Sequence, residues 1–450
     1  MKQNEPTAGG PTRREFVKGT TAAAVGASLF GGLNVARTAH AAGDDTIKIA
    51  LIGCGGRGTE ACSQALSNKT GGVKLVAMAD AFKDRLDTSF NILKKAEGLA
   101  EKIDVPEDRR FVGFDAYKQA LDAGVDLVIL ATPPGFRPIH FSAAVASGKH
   151  VFMEKPVATD AGGVRKVLAA AEEAKKKNLG VGVGLQRRHQ MPYLETIKQL
   201  HDGAIGDITD MRVYWNGTTP WTKTRAELEK QYGRALTEME YQMRNWYYFT
   251  WICGDHIVEQ HIHNLDVATW AKNGYPIKAN GLGGCEVRKG KDTGETFDHH
   301  CVEFEYADGS HVYSQCRHIP GCWNSVSEFA TGTKGTCNIS GFTIKKFDGG
   351  SWKAPRGGGN AYQVEHDDLF ASIRSGNPYN EAERGALSTF MAIFGRMATY
   401  SGRELNWNDA LAKGVDIMPP EFAWDAHMPV QPNADGMYPR AIPGKTKVMG

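Results

Sequence analysis

Two stretches of this sequence gather side chains that could move protons. Lys155 stands in Glu154-Lys155-Pro156, directly after the apolar run Val151-Phe152-Met153. An amine at a strand end with apolar walls is placed to relay a proton; without further support it reads as a lysine ending a surface strand. The second stretch is His256-Ile257-Val258-Glu259-Gln260-His261-Ile262-His263-Asn264-Leu265-Asp266. Wound as one helix, His256, Glu259, His263 and Asp266 fall within an arc of about 80°. Val258, Ile262, Leu265 and Thr269 occupy the adjoining arc and can anchor the helix in a core, which favours a gathered polar stripe over a solvated one. A metal is not expected. His261 comes one residue late for the H-x-x-E-H zinc pattern, and His299, His300, Cys301, Cys316 and His318 lack the paired spacing of a closed zinc site.

These groups need a partner molecule, and the sequence supplies a place for one. Residues 46–52 read as a short buried strand, Gly53-Cys54-Gly55-Gly56-Arg57-Gly58 follows, and residues 59–66 have helical composition. In that context G-x-G-x-x-G predicts a dinucleotide loop: Gly53 for the tight turn, Gly55 for close approach of a pyrophosphate, Gly58 for helix-on-strand packing. A second strand over residues 73–79 ends at Asp80, the position of a carboxylate that bonds the adenosine ribose, which favours NAD over NADP. Lys83 and Arg85 lie near enough in sequence to keep NADP possible. A third strand, residues 125–131, runs into Thr132-Pro133-Pro134, with His140 beyond. Strands alternating with helices at this spacing imply a parallel, doubly wound sheet with its ligand at the strands' C-terminal ends.

Thr132-Pro133-Pro134, His140, Ser147-Gly148-Lys149-His150-Val151-Phe152-Met153-Glu154-Lys155-Pro156, Gly184-Leu185-Gln186-Arg187-Arg188 and Tyr400-Ser401-Gly402-Arg403-Glu404 together resemble the Gfo/Idh/MocA oxidoreductase family, over about residues 47–407. The resemblance implies an α/β fold: an N-terminal Rossmann domain, then a C-terminal α/β domain with an open, largely antiparallel sheet. It implies a nicotinamide cofactor held by Gly53, Gly55, Gly56, Arg57, Gly58, Asp80, Thr132, Pro133, His140, Glu154 and Lys155, with Lys155 beside the reacting hydroxyl. In the family a D-x-x-x-H pair acts with that lysine. His263 takes the histidine's role, but Glu259 stands where the aspartate is expected. The extra methylene moves the carboxylate by about 1.5 Å, enough to matter for catalytic geometry. Asp266 is the second candidate for holding the imidazole. A homo-oligomer through the second sheet is implied by resemblance alone.

The stretch from Tyr214 to Cys253 is rich in aromatic residues, and Thr237-Glu238-Met239-Glu240 reads as a capping box opening a helix toward Arg244. Aromatic faces and cations suit a carbohydrate, so Arg187, Arg188, Arg244, Trp246 and Tyr248 are the candidate substrate residues. The expected activity is hydride transfer from a carbinol carbon of a sugar, polyol or glycoside. Two alternatives use the same parts: a redox-neutral glycoside hydrolase or lyase working by transient oxidation and elimination, and a non-catalytic sugar or nucleotide sensor.

The chain has 450 residues, with 53 Lys+Arg against 51 Asp+Glu, a balance that argues against nucleic acid as partner. A hydrophobic share of 41% excludes bulk disorder. Thr12-Arg13-Arg14-Glu15-Phe16-Val17-Lys18, a mildly apolar stretch and Ala39-His40-Ala41 resemble a twin-arginine export signal over residues 1–41. The apolar stretch is too short and too rich in Gly and Thr for a stable membrane span. The expected organisation is therefore a signal peptide at residues 1–41, a nucleotide domain at 46–185 and a substrate and oligomerisation domain at 186–450, exported folded to the periplasm, with a cofactor that could be tightly bound. Eight cysteines without CxxC pairs read as mostly reduced, a Cys316–Cys322 bridge remaining open.

Overall fold

Ile47, Ile49 and Leu51 pack into one core while Ala50 and Ile52 pack into another, so the strand they share is buried on both faces. A strand of that kind requires helices on both sides. It is β1 (Ile47–Ile52), in a six-stranded parallel sheet with β2 (Val73–Asp80), β3 (Arg110–Val112), β4 (Leu127–Leu130), β5 (His150–Met153) and β6 (Val181–Val183). The spatial order is β3-β2-β1-β4-β5-β6. The chain therefore reverses direction across the sheet between β1 and β4, and the crevice outside their C-terminal ends is where such sheets bind ligands. The structure, a computed structural model, describes residues 45–450; the export-signal reading of residues 1–41 lies outside them.

The second sheet has nine strands: β7 (Ile208–Gly217), β8 (Lys278–Gly284), β9 (His299–Glu305), β10 (His311–His318), β11 (Ser325–Gly332), β12 (Gly335–Asn338), β13 (Thr343–Lys346), β14 (Ser351–Lys353) and β15 (Leu405–Asn406). Its order is β14-β13-β12-β11-β7-β10-β9-β8-β15. Only β7 and β10 run parallel; every other pairing is antiparallel. The expected fold class is what the chain adopts.

The first sheet is not closed by residues 47–183 alone. The helix Ala361–Arg374 packs back on the helix Gly56–Leu66, and its Leu369 and Phe370 are fully buried among Ile49, Leu51, Leu75 and Phe152. The 20-residue helix Ala382–Ser401 lies against the helix Ala161–Lys176 and against β8 and β9, joining the two sheets.

One expectation fails locally. The segment from His256 to Asp266 is two helices, His256–Glu259 and Ile262–Lys272, separated by Gln260 and His261. His261 is fully buried and turns into the fold, its Nε2 2.8 Å from Ser314 Oγ and its Nδ1 3.3 Å from Asn264 Oδ1. The inward demand of that imidazole breaks the predicted helix. All eight cysteines are unpaired, with Cys316 buried and Cys322 exposed.

Because Phe370 completes the core of the first sheet, Phe370→Ala should cost about 3–5 kcal/mol. Urea unfolding followed by far-UV circular dichroism should show the loss. A variant as stable as the parent would place the core of the first sheet wholly within residues 47–183.

Candidate functional site

The glycine turn divides its work as the spacing predicts. Gly53 has φ +98°, and a Cβ there would sit 2.3 Å from Thr132 N; one on Gly58 would sit 2.0 Å from Gly53 O. Both positions are closed by backbone. Gly55 and Gly56 are the opposite case, since a Cβ on either meets nothing within 4 Å. They leave open space before the helix Gly56–Leu66, whose start no side chain caps. Free N–H groups facing an open cavity suit a pyrophosphate. At the end of β2, Asp80 accepts hydrogen bonds from Cys54 N (2.7 Å) and Phe82 N (2.8 Å), so its carboxylate is fixed to the turn. Burial pushes that carboxyl above its ordinary value.

A cavity of about 680 Å³ opens from this turn. Gly53, Gly55, Gly56, Arg57, Gly58, Asp80, Thr132, Pro133, His140, Glu154, Lys155, Glu259 and His263 all line it. Thr132 Oγ1 lies 3.3 Å from His140 Nδ1, and burial beside Arg137 pushes the His140 imidazole down to about 3. Arg57 lines the cavity and is also tied to neighbouring side chains. Its Nε donates to Glu154 Oε1 at 2.6 Å, its Nη1 to Gln64 Oε1 at 3.1 Å, and its Nη2 lies 3.6 Å from Glu365 Oε1. Nε and Nη1 are thus engaged by neighbours, while Nη2 has no hydrogen-bond partner at the cavity that Arg57 lines. Glu365 is buried behind it, and burial with the Glu154 charge pushes its carboxyl well above the usual range.

The proton-moving groups meet in the same cavity. Lys155, which precedes a cis proline, donates from Nζ to Glu259 O at 2.5 Å and to Glu259 Oε1 at 3.0 Å. The other carboxylate oxygen, Oε2, accepts from the Tyr247 hydroxyl at 2.8 Å. The carbonyl is available because the helix stops there: His263 N bonds to Gln260 O at 3.3 Å, one residue short of an i−4 bond to Glu259. His263 is nearly buried, stacked on Trp215 with ring centroids 5.9 Å apart. Burial, with the charges of Lys155 and Arg187, holds its imidazole well below the ordinary histidine range. Its Nδ1 is buried without a hydrogen-bond partner.

Several predicted residues lie elsewhere. Asp266 does not hold His263; Arg188 grips it from Nε (2.9 and 3.1 Å) and Nη2 (2.8 Å), and Ser388 donates to it at 2.7 Å. Arg187 pairs with the buried Glu328. The Tyr248 hydroxyl is bonded to Thr222 (2.7 Å) and Pro220 O (3.2 Å). None of Arg187, Arg188, Asp266 or Tyr248 lines the cavity, whereas Arg244 and Trp246 do. Partly exposed cations paired with buried carboxylates join elements of the fold, and sequence spacing did not show those partners. Thr237 caps its helix through Glu240 N (3.2 Å), but the Glu240 side chain turns to Arg234; the reciprocal capping box belongs to Thr224 and Glu227.

His256 leaves the expected stripe for a buried cluster with Asp255 and His300, a group whose atoms lie close enough for a metal. Those atoms are occupied with each other. Asp255 Oδ1 meets His256 Nδ1 at 2.9 Å, and Oδ2 meets His300 Nε2 at 3.2 Å, Phe297 N at 2.9 Å and the Tyr400 hydroxyl at 2.7 Å. Sequence reading did not single out Arg137, Gln186, Trp221, Lys223 and Tyr362 as cavity residues. Gln186 and Trp221 stood inside motifs already marked; Tyr362 carried no signal.

Residues 47–183 match a family model described as "Oxidoreductase family, NAD-binding Rossmann fold" (GFO_IDH_MocA). Among curated proteins, an inositol 2-dehydrogenase/D-chiro-inositol 3-dehydrogenase of Halalkalibacterium halodurans is 30% identical over 162 residues, 36% of this chain and 42% of that protein. The chain spans about two fifths of the length of such relatives. Two solved structures share the fold. The aldose-aldose oxidoreductase of Caulobacter crescentus superposes with a TM-score of 0.62 at 18% identity, over 80% of this chain and 99% of that one. A levoglucosan dehydrogenase in complex with NADH and levoglucosan gives 0.61 at 16%, with the same coverage.

Buried histidines set a pH limit on this arrangement. Burial pushes His140, His261 and His366 down to about 3 and His300 to about 4. Unfolded, each titrates near about 6.5, so below that pH the unfolded chain binds more protons. Their contribution is complete above about pH 6.5 and lost as pH falls toward the folded values, by up to about 1.4 kcal/mol per pH unit for each group. Urea midpoints measured at pH 7.5, 6.0 and 5.0 should fall in that order. His366→Leu, which removes an imidazole with neither nitrogen bonded, should flatten the decline; an unchanged slope would contradict the assignment.

Proposed function

We propose that this chain is a nicotinamide-dependent oxidoreductase of the Gfo/Idh/MocA type, acting on a hydroxyl of a sugar or cyclitol. The observation that carries the reading is the meeting of Lys155 and an uncharged His263 in the cavity that opens from the glycine turn. The residues fit a dinucleotide: an uncapped helix start behind open space for phosphates, and a fixed carboxylate, Asp80, for a ribose. When bound, the nicotinamide supplies a hydride acceptor.

The chain's own groups do the rest. His263, kept neutral by its surroundings, accepts the hydroxyl proton. Lys155 directs a positive charge at the substrate oxygen as negative charge develops there, and Glu259 fixes that ammonium. Trp246 and Trp221, with centroids 6.0 Å apart, offer apolar faces for the ring C–H groups of a carbohydrate. Asp80 favours NAD; Arg85, lining the cavity beside it, keeps NADP within reach. The cyclitol and sugar dehydrogenases among the relatives support this substrate class.

The reading includes a firmly held cofactor in an exported protein. Arg244 reaches from the aromatic insertion to Asp84, four residues beyond Asp80, making two hydrogen bonds of 3.1 Å between the rings of Phe82 (3.9 Å) and Tyr232 (4.2 Å). Trp424, from the C-terminal segment, packs at a tilt against Phe82 and Phe114. Phe82, Phe114 and Arg244 line the cavity together with Asp80, and these contacts support a cofactor held firmly there. Export rests on the paired arginines at Arg13 and Arg14 and the small residues at Ala39 and Ala41. Self-association through the second sheet is supported by the exposed Leu282, Tyr313, Val326 and Trp323.

Mass spectrometry of the supernatant from denatured protein should find about one NAD per chain, where an empty protein that also fails to bind added nucleotide would overturn the reading. Lys155→Met should keep the nucleotide and lower turnover of a cyclitol or aldopyranose by at least about 10²-fold. Arg244→Ala should retain less nucleotide through gel filtration than the parent. Cleavage of an aryl glycoside without NADH accumulation would identify the redox-neutral alternative. Binding without turnover in any assay would identify a sensor.

A further inference from the structure

Glu259 is the one group of the cavity that departs in length from the aspartate of the D-x-x-x-H pair. The structure shows what the added length reaches. Its Oε1 accepts from Lys155 and its Oε2 accepts from the Tyr247 hydroxyl, so the carboxylate spans two donors on different elements. Tyr247 lies in the turn Trp246–Tyr248 and is buried. The Cys253 thiol bonds to its main-chain oxygen at 3.2 Å, and the rings of Trp246 and His318 lie 5.3 and 6.2 Å away. The phenol is thus fixed in place. Burial and the Glu259 charge push it well above its ordinary value, which keeps it a neutral donor. Tyr247 does not line the cavity.

We propose that Tyr247 is a positioning residue that sets the Lys155 ammonium through Glu259: its hydroxyl holds one carboxylate oxygen, which presents the other to the lysine. The carboxylate, bonded at both oxygens, orients the lysine and leaves the base role to His263. Tyr247→Phe removes one oxygen and keeps the ring. Released at Oε2, the carboxylate can rotate, and Lys155 keeps only the Glu259 carbonyl as a fixed acceptor. A lysine misplaced by a fraction of an ångström weakens the transition state more than ground-state binding.

The turnover test rests on the oxidoreductase reading; a second readout does not. On nucleotide-loaded protein with myo-inositol, scyllo-inositol and D-glucose as probes, Tyr247→Phe should lower kcat at least about tenfold with KM within about twofold. Nucleotide content per chain equal to the parent's shows that the fold is kept. The second readout is acylation of Lys155 by an amine reagent, followed by peptide mass spectrometry. Tyr247→Phe and Glu259→Gln should both raise the Lys155 rate severalfold, since each removes the fixed carboxylate. Glu259→Asp, too short to span both donors, should act likewise, and adding Tyr247→Phe to it should change little more. Parental acylation in Tyr247→Phe alongside a raised rate in Glu259→Gln would overturn the proposal, as would unchanged kcat. If the parent transfers hydride to no probe while the acylation pattern appears as expected, the functional reading fails and the positioning role stands.

Discussion

An ammonium held by the main chain and the side chain of one residue ties the two halves of this molecule together. Lys155 comes from the end of the first sheet; Glu259 comes from the second half of the chain. The contact depends on a helix that ends early. Had residues 256–266 wound continuously, the Glu259 carbonyl would accept from His263 N, and Lys155 would find only a carboxylate. Because the helix breaks, one residue offers two acceptors, and His263 restarts the chain on the far side of the break, in the same cavity.

The break is held by buried polar groups. Asp255, at φ +74°, starts the short helix by accepting from His256 N, while its second oxygen gathers Phe297 N, His300 and Tyr400. His261 closes the other side through Ser314 on β10. A strained residue persists when its surroundings determine it from several directions, and here Phe297, β9 and the helix Ala382–Ser401 all hold Asp255. The cluster is the scaffold of the proton-moving pair; its histidines serve the backbone.

Much of this was legible in residue order. A short apolar run ended abruptly by glycine gave the first strand as a buried one, and the structure shows it covered on both sides. Gly53 and Gly58 could be assigned from spacing because their need is local: a backbone atom stands where a Cβ would be. The fates of Arg187, Arg188 and Asp266 were not legible, since Arg187 depends on Glu328 on β11, and Arg188 and Asp266 depend on each other, with Ser388 on the helix Ala382–Ser401. Periodicity failed at Gln260 and His261 for a related reason. It measures which face of a helix is apolar, and cannot register that one histidine has a buried hydroxyl waiting for it.

The return of the helix Ala361–Arg374 to the first sheet has a consequence for the order in which the molecule can be made. Strand β6 ends at Val183, but Leu369 and Phe370 fill the core beside β1 and β5. At synthesis rates of about 5–20 residues per second, roughly 10–40 s separate the last strand of that sheet from the side chains that seal it. During that interval the nascent first half exposes an apolar face to whatever surrounds the ribosome. That side of the core beneath the glycine turn is therefore filled only after residues 369–370 have been made.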